Sequence, residues 1–128
     1  MKAGDTFWLK DRSVEGGHSR FVLSDPALDE EHVVIASLTE WHANKDQACI
    51  LEAGDDAIVK KRSIVSFRDA TIAPNAYLDE HLANGMLISG PPLSPATLAR
   101  IRAGCALTRH IPNDAYDVLD QQGLIPVV

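Results

Sequence analysis

Apolar positions along the chain fall into two regimes. Up to residue 73 they come in short runs: "DTFWLK", "RFVLSD", "HVVIASLT", "QACILEA" and "RSIVSFRDA" are rich in aromatic and β-branched residues. The segments between them, "DRSVEGGH", "PALDEE", "EWHANKD" and "GDDAIVKK", carry the Gly, Pro, Asn and Asp of turns. Five such runs at intervals of about ten residues predict five short strands in a small antiparallel sheet or barrel, rather than alternating βαβ units. Within the first connection Gly16 and Gly17 take positive φ at no steric cost, which predicts a hairpin loop there.

From residue 74 the period lengthens. In "NAYLDEHLANG", Asn75 is placed as a helix cap, Leu78 and Leu82 lie four apart, and Gly85 follows the end. "MLISGPP" then reads as a further strand or an extended link. In "LSPATLARIRAGCALTRH", Ser94 is the cap, Pro95 fits the first turn, and Leu98, Ile101 and Cys105 recur at helical spacing. "IPNDAYDVLDQQGLIPVV" predicts a short helix ending near Gly123, then an apolar tail of Leu124, Ile125, Val127 and Val128 that docks on its own body or on a second subunit. The expected fold class is therefore mostly β with C-terminal helices (α+β). It forms a single domain over residues 1–128, with a strand-rich body at 1–73 and helices, a strand and the tail at 74–128.

Composition narrows the function. The 128 residues carry a formal charge of −6, which argues against sequence-independent binding to nucleic acid through an overall basic field. No apolar run approaches the roughly 20 residues of a membrane span, and the N-terminus lacks a signal-peptide core, so a soluble, cytoplasmic protein without membrane association is expected. Cys49 and Cys105 fit neither a zinc-ligand spacing nor a disulfide framework and read as reduced core residues. The five histidines form no His-Glu-x-x-His pair, and "WHANKDQAC" supplies only His42 and Cys49 where structural zinc takes four ligands. No metal and no cofactor is expected.

Order and wording together resemble a family. A Gly-Asp start to the first strand ("GDTFWL"), a polar glycine loop, a "VLS" strand end, an apolar strand closing on "SLT", a later "SIVSFRDATI" and a helix opened by "LSPATLARIR" are similar to the plasmid-maintenance toxins of the PemK/MazF type. The resemblance covers most of residues 4 to about 108. It implies a compact SH3-like β-barrel with short helices, usually dimeric, and metal-independent cleavage of single-stranded RNA. Such cleavage needs a base for the 2′-hydroxyl proton, an acid for the leaving oxygen and a cation on the phosphorane charge.

Carried onto this chain, the family's loop residue falls on Glu15 or His18, and its later Arg and acidic residue on Arg68 and Asp69. The family's Arg-Pro at the start of the second strand has as its nearest match "HSRFVLS", with Arg20 shifted and no proline. Neighbours on a regular strand face opposite ways, so Arg68 and Asp69 reach one site only at a bulge or a strand end. Lys60, Lys61 and Arg62 are the one run of three cations; with Arg12, Arg20 and Arg68 they define the basic patch that an RNA cleft requires. Trp41, in a polar loop, is placed as a ring lining the same cleft. The leading expectation is a divergent PemK/MazF-like barrel acting as a dimeric binding or interaction module of a mobile or accessory gene set, with an antitoxin-like protein partner. The alternative is an endoribonuclease toxin of a toxin-antitoxin pair, acting on single-stranded RNA.

Overall fold

The computed structural model describes residues 1–10 and 18–127. Arg12, Glu15, Gly16, Gly17 and Val128 lie outside the described residues. The long strands come first in the logic of the fold. β3 (His32–Glu40) pairs antiparallel with β5 (Ser63–Pro74), and each of the two continues the run that the sequence marks for it. β2 (Arg20–Val22) adds to the free side of β3, β1 (Thr6–Leu9) to β2, and β6 (Leu87–Ser89) to β1; β4 (Ile50–Leu51) lies outside β5. Among the described residues this makes one six-stranded antiparallel sheet in the order β4-β5-β3-β2-β1-β6.

β3 explains its own sequence. Its residues from Val33 to Leu38 are all buried, because both faces of the strand are covered. Val34, Ala36 and Leu38 join a cluster with Phe21, Phe67 and residues of two helices: Leu98, Ile101 and Cys105 of α2 (Pro95–Cys105), and Ala115 and Leu119 of α3 (Asn113–Gln121). Val33 and Ile35 face the other way, into a cluster with Phe7, Val22, Leu87 and Leu78 of α1 (Asn75–Ala83). The period of two thus sorts one apolar run between two cores, with α2 and α3 on one face and α1 on the other. The result is an α+β architecture.

That layering also accounts for a departure from expectation. The resemblance implies a closed barrel, and the sheet is open: among the described residues no ladder joins β4 to β6. A barrel fills its interior with its own side chains, whereas here α2 and α3 cover that face and complete the core in place of closure. Gly104 marks how tightly α2 sits. A Cβ there would come within 2.8 Å of the Phe67 ring and 3.0 Å of the Cys49 Cβ, so the lack of a side chain is what admits the helix.

The cap signal held in α2 and failed in α1. Ser94 Oγ accepts from the Thr97 amide at 3.2 Å with Pro95 in the first turn, as the spacing predicts. Asn75 is not a cap. β5 runs through Pro74 directly into α1, so Asn75 is already helical, and its Oδ1 accepts instead from the amino group of Met1 at 3.0 Å. α3 ends in a Schellman arrangement, with Gly123 at φ +70° and the Leu124 amide donating to the Leu119 carbonyl at 3.0 Å. Leu124 and Ile125 pack on the core while Val127 is fully exposed, so the described part of the tail docks on its own body only at its start. Among the described residues no helix is long and apolar enough to cross a membrane.

Candidate functional site

The β3–β5 ladder breaks at one place, and the break builds a groove. Ile35 pairs with Thr71 and Ser37 with Ser66, so two steps on β3 face five steps on β5. The surplus is taken up by Phe67, Arg68, Asp69 and Ala70: Phe67 and Ala70 turn into the α2/α3 core, and Arg68 and Asp69 between them are both exposed. This is the bulge on which a shared site for neighbours Arg68 and Asp69 depends. Beside it opens a groove of about 280 Å³ lined by His18, Arg20, Ser37, Asp69 and Thr71, with Ile35 and Ala36 in its floor. Arg20 lies opposite Ser37, and Ser37 opposite Ser66, so the three residues form one row across the sheet.

Three expected site residues therefore meet. His18 Nδ1 lies 3.2 Å from the Leu38 carbonyl oxygen. A carbonyl only accepts, so Nδ1 carries the proton, and in the neutral ring Nε2 is left with its lone pair. Asp69 Oδ2 accepts from Ser66 Oγ at 2.6 Å, which fixes the carboxylate and leaves Oδ1 available. Among the described residues Arg20 makes no ion pair, although it shares the groove with Asp69. Opposite charges held in one groove without closing on each other are both open to a ligand.

Other expected residues stand elsewhere. Arg68 is exposed on the bulge and does not line the groove. Trp41 also lies outside it: its Nε1 donates to Gln47 Oε1 at 2.8 Å and its ring carries the Arg62 guanidinium 5.3 Å from its centroid. Of the basic run, Lys61 pairs with Glu40 at 3.6 Å and Arg62 with Glu52 at 2.7 Å, while Lys60 is exposed. That end of the sheet is charge-balanced rather than basic. Nothing local in the sequence marks Ser37 and Thr71; only their strand register, a property of pairing, brings them to the groove.

Both thiols are buried, with Cys49 beside Gly104 of α2 and Cys105 next along that helix. Burial pushes Cys49 up to about 11 and Cys105 up to about 12, so neither is a nucleophile at neutral pH. Among the described residues no group of three or more His, Cys, Asp or Glu is arranged to hold a metal ion. Acidic residues serve α2 instead. Asp56 Oδ2 accepts from the Ser94 amide at 2.8 Å; burial opposes its ionisation, but that bond and those from Thr97 and Ala57 outweigh it and hold its pKa below the usual carboxylate value.

Together the fold and the groove define a class: an open antiparallel sheet packed between helices, with a polar groove at a strand bulge. No protein-family model matches the chain, and no curated protein matches it significantly.

Proposed function

We infer that the chain is a divergent PemK/MazF-like protein, its open sheet a relaxed form of that family's SH3-like barrel, and that it cleaves single-stranded RNA without a metal. The observation that carries this reading is the meeting of His18, Arg20 and Asp69 in one groove where, among the described residues, the cation and the carboxylate form no ion pair. The groups supply the three functions the reaction needs. His18 Nε2 takes the proton of a ribose 2′-hydroxyl, and the Asp69 carboxylate in the same groove offsets the charge of the imidazolium that forms. The 2′-oxygen bonds to phosphorus, the bond from phosphorus to the 5′-oxygen breaks, and the imidazolium returns its proton to that oxygen. Arg20 faces the phosphorane charge. The products are a 2′,3′-cyclic phosphate and a 5′-hydroxyl.

Cleavage of a mixed-sequence single-stranded RNA by the purified protein in EDTA tests the reading, beside His18→Ala, Arg20→Ala and Asp69→Asn. Cleavage that survives EDTA and is lost in all three variants supports it; no cleavage above a mock preparation overturns it.

A second reading keeps the fold and drops the chemistry, taking the protein as a dimeric interaction module of an accessory gene set with an antitoxin-like partner. Exposed Leu9 and Met86 favour it, because they flank β6 at the sheet's open edge. A concentration-dependent dimer in sedimentation, lost in Met86→Glu, is its expected outcome.

A further inference from the structure

A second and larger groove, of about 410 Å³, lies along α2, away from His18. Its walls are Pro95, Leu98, Ala99 and Arg102 from one stripe of α2, faced by Leu124 and Pro126 from the segment after α3. Arg102 is the one charge in this lining, and its guanidinium is poorly satisfied. Nε donates to the Leu23 carbonyl at 3.0 Å; among the described residues the buried Nη2 has no hydrogen-bond partner and no carboxylate makes an ion pair with the guanidinium. Burial pulls its pKa below the usual value, and the charge of Asp25 only partly opposes this. A buried donor without a partner costs about 1–3 kcal/mol, so such a group in a native fold calls for an acceptor.

We propose that this groove binds a small amphipathic carboxylate, its apolar chain lying between Leu98 and Leu124 and its carboxylate meeting the Arg102 guanidinium. The planar fork of arginine matches a carboxylate in shape and charge, and the apolar walls account for the rest of the ligand. The volume falls in the range of small-molecule sites rather than of peptide grooves. Nη2 is buried, so seating a carboxylate oxygen on it requires the groove lining to shift.

The test titrates the whole chain with octanoate and with octanol by calorimetry or by backbone amide shifts. Octanoate binds saturably and more tightly than octanol. Arg102→Met keeps the aliphatic stem, weakens octanoate at least about tenfold and leaves octanol unchanged. Ala99→Phe, on an exposed wall of the groove, weakens both ligands. RNA cleavage is unchanged in both variants, which separates this site from the His18 groove. The proposal is overturned by a wild-type protein that shows no saturable octanoate binding or takes octanol equally well. Undiminished octanoate binding by Arg102→Met overturns it too. Should that variant fail to fold, the octanoate-to-octanol ratio and Ala99→Phe decide the matter.

Discussion

At the end of the sheet nearest β4, Lys61 lies 3.6 Å from Glu40 and Arg62 2.7 Å from Glu52, whereas at the bulge Arg20 and Asp69 line one groove and do not pair. Sequence alone favours the first region as the basic surface, because three cations stand in a row there. Neighbouring carboxylates cancel two of them, Lys61 and Arg62. Glu40 is the end of β3 that pairs with Ser63 of β5, two residues after Lys61, and Glu52 follows β4 directly, so regular pairing brings opposite charges within reach. The bulge does the reverse. By displacing Asp69 from the ladder it separates the carboxylate from Arg20 and leaves both for a ligand. A regular stretch of sheet settles its charges, and an irregular one exposes them.

Removing the groups of the groove is the strongest way to probe that contrast. His18→Ala is expected to lower RNA cleavage by about 10²-fold or more, the usual scale for loss of a general base, while Arg62→Ala changes it less than about twofold. Equal losses in the two variants, measured as single-turnover rates, would abolish the distinction between the regions. Phe67→Ala tests the bulge itself. The ring is fully buried in the core at the bulge, two residues before Asp69, so the variant loses about 3–5 kcal/mol of stability in urea unfolding. Gly104→Val, which drives a side chain into Phe67 and Cys49, costs about 1–3 kcal/mol by the same measurement.

Breaking the balance at the other end gives a smaller effect. Glu52→Gln releases Arg62, which adds one free cation near Trp41; RNA affinity rises a few-fold at low salt, and the slope of log affinity against log salt steepens by about 0.7. Because the Arg62–Glu52 pair is half exposed, the same change alters stability by less than about 1 kcal/mol.

The thiols provide a test that leaves both regions untouched. Their folded pKa values are raised to about 11 and about 12 against about 8.5 for a free thiol, so the folded state holds protons that the unfolded state releases. Their contribution to stability is complete below about pH 8.5 and is lost as pH rises through 11 and 12. Unfolding midpoints therefore fall between pH 8 and pH 11. Neither cysteine reacts with an alkylating reagent at pH 8 until urea unfolds the chain.

How far the sequence reaches depends on the range of the interaction concerned. Five strands, the cap at Ser94, the proline after it and the glycines after α1 and α3 are local matters, set by turn chemistry, β-branching and caps within a few residues. The apolar run at 32–39 likewise announces a buried strand. It does not say that its two faces feed two cores, and hence that helices rather than closure complete the fold. The same limit appears in the site. Residue types marked His18 and Asp69, and Arg20 within the second strand, yet nothing in the order of letters places Asp69 beside His18 and leaves Arg68 outside. That outcome belongs to the register of β3 against β5, which slips where Phe67 and Ala70 both need the core. Local propensity fixes what each segment becomes, because its causes lie within a turn or two. Which charges cancel and which stay open is decided by strand pairing and core packing between residues tens of positions apart.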